Sequence, residues 1–268
     1  MNFEKLEILN LNLIAEFKEA IKFDIIEFLD KAQEFDMSVD YFKFYKSLSS
    51  VYSSKIEGEN IDFDSFFKYK FLNVEYKLEY TQKADDLFEA YEFIESNKIS
   101  LQVLKQAHSL ITRNLLPKSQ RGLIRTNPMF VVNDEDKIEY VAANSSILNK
   151  ELDKLFADID KLVLRDIDIH EIFYFASLIH LVFVKLHPFQ DGNGRLARLL
   201  EKWFLLQKLG TKATAIQLEK NYFSNLSSYY RNIKILGLEF EKLDYSKSLE
   251  FILMTIRGLE NQITNHHN

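Results

Sequence analysis

The chain has 268 residues, enough for one large domain or two small ones, and 47% of them are hydrophobic, with 23 Phe and 13 Tyr to fill a core. A formal net charge of −6, with no lysine/arginine block, argues against a broad nucleic-acid or anionic-membrane surface. There is no cysteine for a disulfide or thiolate metal site, and the opening is charged and periodic, without an apolar leader, so the expectation is a cytoplasmic protein with no membrane partner.

Residues 3–35 carry Leu6, Leu9, Leu13, Phe17, Ala20, Ile21, Ile25, Phe28 and Leu29 at three-four spacing, which predicts one or two amphipathic helices. Residues 41–57 predict another, with Gly58 as the residue that ends it. Ser53 and Glu57 lie four apart and stack on one face of it. Taken alone, Glu57 reads as a solvated carboxylate at a helix end. Helical spacing continues over 61–113. Phe63, Phe66, Phe67, Tyr69 and Phe71 read there as core or dimer surface, since no basic stripe accompanies them to make a base-stacking platform. Asp85, Asp86, Glu89 and Glu92 read as a wet helix face, and His108 as a structural histidine among Leu104, Ala107 and Ile111.

Pro117, Gly122 and Pro128 break the pattern between 114 and 143. Residues 129–132 and 138–141 are β-rich runs about a polar turn, which predicts a small hairpin. Residues 145–166 predict a helix, and Asp166 or Asp168 would cap the next. That next helix, 169–186, is apolar nearly all round, so it is expected at the centre of a bundle, and its apolar-rich run, around Ile172–Leu186, contains His180 and Lys185 and reads as too short to span a bilayer. Within it His180 reads as a buried histidine bonded to backbone, with a second catalytic base as the alternative. His170, near its start, reads as exposed. A helix over about 194–209, a segment 221–237 holding Tyr229-Tyr230, and a last helix over 246–263 complete the pattern. His266 and His267 read as a fraying tail.

Between the two central helices lies His187-Pro188-Phe189-Gln190-Asp191-Gly192-Asn193-Gly194-Arg195-Leu196-Ala197-Arg198. Gly192 and Gly194 permit backbone conformations in which successive N–H groups turn inward. The free N–H groups and positive dipole end of the following helix face the same spot, which makes an anion site. Arg195 and Arg198 share a face of its first turn, and two guanidinium forks suit a polyphosphate better than one carboxylate. Asp191 offers a hard oxygen to Mg²⁺, and His187 can move a proton near neutral pH. Base, metal ligand and phosphate cradle are the parts that phosphoryl or nucleotidyl transfer needs.

This stretch resembles the signature of the Fic (filamentation induced by cAMP) domain, His-Pro-Phe-x-(Asp/Glu)-Gly-Asn-Gly-Arg-x-x-Arg, at every specified position. The resemblance implies an all-α Fic-type helical bundle with one short β-hairpin flap near the active site. It implies transfer of AMP from ATP, with Mg²⁺, to a Ser, Thr or Tyr hydroxyl of a target protein. His187 would deprotonate the hydroxyl and Asp191 would hold Mg²⁺. Gly192, Asn193 and Gly194 would cradle the α- and β-phosphates with Arg195 beside them, and Arg198 would reach the γ-phosphate.

Ser53 to Gly58 also resembles the family's inhibitory pattern, (Ser/Thr)-x-x-x-Glu-(Gly/Asn). By that resemblance Glu57 would pair with Arg198 and deny it to the γ-phosphate. The flap, with Val131, Val132 and Asn133, would hold a target segment by strand addition. The Tyr229-Tyr230 pair would border the nucleotide base, with ordinary helix packing as the other reading. Gly237 stands where many relatives have asparagine, which leaves purine recognition open. The expected organisation is an N-terminal helical region, 1–95, carrying the inhibitory helix at about 41–58. A Fic core follows over 96–268, with the flap at about 122–143 and the C-terminal helices. A homodimer is compatible with the aromatic-rich surface. Within the same site, removal of AMP or transfer of another phosphate-containing group is the alternative activity. A non-catalytic nucleotide-responsive binding protein is the rival of another class.

Overall fold

An 18-residue helix with no wet face is stable only where other elements surround it. In the computed structural model, which describes residues 5–31, 40–132 and 135–264, that helix is α8 (Ile169–Leu186). Asp168 opens it with a capping box, accepting from Glu171 N while the Glu171 side chain bonds back to Asp168 N. α8 is long and apolar enough to cross a membrane, but most of it is buried inside the fold. Around it pack α1 (Ile14–Ala20), α2 (Ile25–Lys31), α7 (Leu148–Leu164), α9 (Asn193–Leu209) and α12 (Leu249–Thr264).

A second layer is built on α3 (Tyr41–Ile56), which Asp40 caps by accepting from Lys43 N. It packs against α4 (Phe63–Leu72), α5 (Leu78–Glu95) and α10 (Leu218–Ser224). α6 (Leu101–Ile111) joins α5 to α9, and α11 (Leu226–Lys234) lies against α12. One hydrophobic core takes Tyr45, Leu48 and Ile56 from α3 together with the inner faces of α8, α9 and α12. The aromatic cluster supplies a satellite core, in which Phe66 packs with Val51, Ile61, Ala84 and Phe88. The two strands, β1 (Phe130–Val132) and β2 (Ile138–Val141), pair antiparallel with Val131 opposite Tyr140. The hairpin is pinned by Val141 N donating to Leu238 O and by the Tyr140 hydroxyl donating to Lys185 O at 2.6 Å.

Two expectations fail for local reasons. Residues 5–13 are not helical, because Glu7 N, Ile8 N and Leu9 N all converge on the buried Asp158 carboxylate, which fixes a non-helical turn. Leu9 still reaches the core, so its apolar spacing is satisfied without a helix. Asp86 is buried, not wet. It accepts from Asn114 N and Nδ2 and so ties the end of α6 to α5. His266 and His267 lie outside the described residues.

Candidate active site

α8 ends at His187, whose backbone is left-handed (φ 50°, ψ 57°), a region that histidine tolerates better than most residues. Arg125 holds it there. Its Nε donates to His187 O at 2.7 Å, its other guanidinium nitrogens reach Asn127 O and Ala143 O, and its own N–H donates to Pro188 O. His187 Nδ1 faces Val184 O at 3.4 Å, which puts the proton on Nδ1 and leaves Nε2 an acceptor. Burial, opposed in part by that bond, pushes His187 down to about 4, so the ring is neutral at physiological pH.

The loop after it is braced from within and below. Phe189 is buried and stacks on His108, with ring centroids 3.8 Å apart. His108 Nδ1 accepts from Gly122 N, so its Nε2–H donates to Asp191 O at 2.9 Å. Burial lowers His108 to about 4 and keeps it in the neutral form this pairing requires. Gly192 is left-handed (φ 77°), and a Cβ there would stand 2.8 Å from Thr112 Cγ2. The Asn193 side chain is committed to the loop itself: Oδ1 accepts from Phe189 N and Nδ2 donates to Phe189 O. At 2% exposed, the Asn193 side chain braces the loop, and its second Nδ2 hydrogen and its backbone N–H at the first residue of α9 are the donors left to an anion.

α9 starts at Asn193 and presents Arg195 and Arg198, both buried. Arg198 is enclosed by four contacts. Nε donates to Ser53 Oγ at 3.0 Å, Nη2 to Ser53 O at 3.1 Å and to Glu57 Oε1 at 2.7 Å, and Nη1 to the Tyr229 hydroxyl at 3.3 Å. Glu57 is the C-cap of α3, and Gly58 beyond it is left-handed (φ 85°). Burial pushes the Glu57 carboxyl up, but Arg198, Arg195 and His187 pull it further down, so it is ionised and below its ordinary range. Arg195 Nη2 reaches Glu59 Oε1 at 3.4 Å, and Glu59 also accepts from Lys83 at 2.6 Å. The buried Arg195 Nε has no partner among the described residues.

Asp191 is exposed, with Oδ1 accepting from Gly192 N at 2.6 Å. No group of three metal-ligating side chains occurs among the described residues. A single exposed hard-oxygen donor beside an anion site fits Mg²⁺ that arrives with phosphates, which needs only one or two protein carboxylates. Tyr229 is buried and joins Arg198 to His180, whereas Tyr230 is on the surface with its hydroxyl on Ile56 O. His180 bonds side chains and not backbone: Nδ1 meets Glu201 Oε2 at 2.7 Å and Nε2 the Tyr229 hydroxyl. That buried network sets the floor under Arg198. A cleft of about 250 Å³ opens over His187, Gly194, Arg198 and Glu57. It is walled by Val131 and Tyr140 of the hairpin and by Tyr230 and Ile233 of α11. Val132 lies beside it on the exposed face of β1, and Asn133 is outside the described residues.

Residues 98–205 match the sequence profile of the Fic/DOC family. The chain carries a Fic domain. The matched span contains the His187–Arg198 stretch with its braces His108 and Arg125, but not Glu57 or the Tyr229-Tyr230 pair, which flank it. A Fic family protein from Desulfovibrio desulfuricans G20 superposes with a TM-score of 0.76 at 17% identity, over 99% of this chain and 78% of that one. A Fic domain containing signaling protein from Bacteroides thetaiotaomicron VPI-5482 gives 0.64 at 18%, over 92% and 96%. Fic-1 (residues 134–508) of C. elegans gives 0.64 at 15%, over 94% and 71%. At these identities the likeness is one of fold. No curated protein matches the chain in sequence.

His108 reads from the sequence as a structural histidine, and its place beneath the His187–Arg198 loop is what the sequence does not show. A histidine near the end of one helix carries no local sign that its ring will meet a carbonyl 83 residues away.

Proposed function

We propose that the chain is a magnesium-dependent protein adenylyltransferase of the cytoplasm, which moves AMP from ATP to a hydroxyl side chain of a target protein and is held off by Glu57. The observation that carries this reading is the 2.7 Å ion pair between Glu57 Oε1 and Arg198 Nη2, set in the same cleft as a neutral His187 and the start of α9. A polyphosphate on the α9 N-terminus and Arg198 would have to displace that carboxylate. His187 Nε2 is the free acceptor that takes the hydroxyl proton. The hydroxyl oxygen bonds to the α-phosphorus, the bond from that phosphorus to the bridging oxygen breaks, and pyrophosphate leaves. Asp191 would hold Mg²⁺, which supplies charge neutralisation at the phosphates. Gly194, and Gly192 once its N–H leaves Asp191 Oδ1, would lend backbone N–H groups to the anion, and Arg195 a second guanidinium.

The outer edge of β1 has no strand beside it among the described residues, and a target segment would pair there along Val131 and Val132, with Asn133 continuing the edge. Residues 1–95 would supply the gate and 96–268 the reaction site. One observation favours a second reading: Glu57 is close enough to His187 for each to shift the other's titration. A carboxylate there could orient water for removal of AMP from a modified target.

Mass spectrometry tests both readings. Wild type, Glu57→Gly and Glu57→Gly/His187→Asn are each incubated with ATP and Mg²⁺, alone and with a cell lysate. AMP adducts with Glu57→Gly only, on itself or a lysate protein, are the expected result. Adducts equally abundant without His187 would overturn its role. AMP released from a pre-modified target by wild type but not by Glu57→Gly would favour the second reading.

A further inference from the structure

One polar group in the cleft is left unused by the proposed reaction. Lys185 sits two residues before His187 on α8, 2% exposed. Among the described residues its ammonium has no hydrogen-bond acceptor and no carboxylate; it lies 4.1 Å from the centroid of the Tyr140 ring. A cation–π contact offsets only part of the penalty for burying an ammonium. Burial pushes Lys185 down to about 8, so it still carries its proton at neutral pH. The neighbouring polar groups are engaged elsewhere. Glu139 pairs with Lys234 at 2.7 Å, the Tyr140 hydroxyl is on Lys185 O, and the Tyr230 hydroxyl is on Ile56 O.

The lining of the cleft mixes two chemistries: His187, Gly194 and Arg198 suit an anion, while Tyr140, Val184, Tyr230 and Ile233 offer apolar surface, and Lys185 lines the same cleft with its ammonium over the Tyr140 ring. In a slot of this kind a few placed polar groups set ligand specificity. An ammonium has three donors and no acceptor. Guanine presents two adjacent acceptors, O6 and N7, while adenine sets an amino donor next to its N7.

We infer that Lys185 reads the base of the bound nucleotide, and that its donors make the slot take guanine at least as well as adenine. This rests on the nucleotidyl-transfer reading and adds a base preference to it.

The test is calorimetric titration of ATP, GTP and inorganic triphosphate into full-length Glu57→Gly, Glu57→Gly/Lys185→Met and Glu57→Gly/Lys185→Arg. Methionine keeps the buried volume and removes the donors. The Met variant is expected to weaken GTP by about tenfold and ATP by less, with triphosphate unchanged. The Arg variant, whose fork also suits O6 and N7, is expected to keep the guanine preference even if the Met variant does not fold. Equal losses for triphosphate would make Lys185 a phosphate contact and overturn the inference. So would ATP binding without GTP binding, or a GTP/ATP ratio the same in all three proteins. If no nucleotide bound to any variant while all were folded, the nucleotidyl-transfer reading would fall with it.

Discussion

The Glu57 carboxylate oxygen lies 2.5 Å from the point where a Cβ on Gly194 would stand, so the carboxylate holds this pose only beside a residue without a side chain. On the proposed reading, the residue that would let an anion approach the start of α9 also lets the Glu57 carboxylate in. Gly194→Ala should therefore break the Glu57–Arg198 contact and yet bring no gain in transfer, since the same methyl stands where phosphate would lie. A structure of the variant with the 2.7 Å pair intact would contradict this.

Glu57→Gly should raise transfer about ten- to a hundredfold. A charge-assisted hydrogen bond contributes roughly 1.5–3 kcal/mol, and each 1.4 kcal/mol is about a factor of ten. Arg198 keeps Ser53 Oγ, Ser53 O and Tyr229 in the variant, so the guanidinium has no reason to leave its place. Initial rates at saturating ATP would measure the gain, and unchanged rates would remove Glu57 as the gate.

Ser53→Ala should act in the same direction but more weakly. It deletes the acceptor of Arg198 Nε while leaving Glu57 in place. The buried donor left unsatisfied should also lower unfolding free energy by about 1–3 kcal/mol. Urea denaturation and initial rates on the same preparation would separate the two effects.

The acid limb of transfer should follow His187. Its ring titrates near 4 in the folded protein, so protonation removes the acceptor only as pH falls toward 4. Rates for Glu57→Gly should stay level from neutrality down to about pH 5.5. Removing Glu57, which raises the His187 value, moves the limb lower still. A midpoint near the ordinary histidine value of about 6.5 would mean that the ring is not buried as described.

Stability should fall in the same range because of His108. Its folded value is near 4 against 6.5 unfolded. The unfolded chain therefore binds the proton first as pH drops, and stability present above about 6.5 is lost progressively down to about 4. The loss from this ring alone is on the order of 3 kcal/mol. Denaturation midpoints at pH 7 and 4.5 would show it, and a His108→Asn variant should show a shallower decline.

Asp191→Ala should abolish Mg²⁺-dependent transfer while leaving melting temperature nearly unchanged, because the exposed carboxylate bonds only to the next residue's N–H. The Asp191 carbonyl that His108 holds survives the substitution. Full activity in the variant would remove Asp191 as the ligand.

The helices were legible wherever apolar spacing was regular. α8 could be placed at the centre from Ile169–Leu186 alone, and the hairpin from two β-rich runs about a polar turn. The meeting of Glu57 with Arg198 was legible only through resemblance, since nothing in the local spacing of Ser53 and Glu57 says which cation they will face. What stayed hidden was carried by single polar side chains acting over long separations. Asp158 reorganises residues 7–9 and cancels a helix that the leucines alone would suggest. The Asn193 side chain turns inward to hold Phe189, a bracing role that nothing in the local pattern shows. Asp86, read among Asp85 and Glu89 as a wet face, is drawn inside by Asn114. Charge pattern along a helix does not reveal a partner from another one.

α3 is a wall of the core, with Tyr45, Leu48, Val51 and Ile56 buried and Ser49 bonded to the equally buried Glu219. If Glu57 is the gate, its helix is therefore not an arm that can swing away, and trimming it off would strip the protein of part of its interior. Relief would then fall to the Glu57 side chain and the turn at Gly58, since rotamers and turns rearrange far faster than a helix can detach. Such a brake has no memory. On the proposed reading it would settle anew with each nucleotide, and triphosphate concentration would set how often it yields.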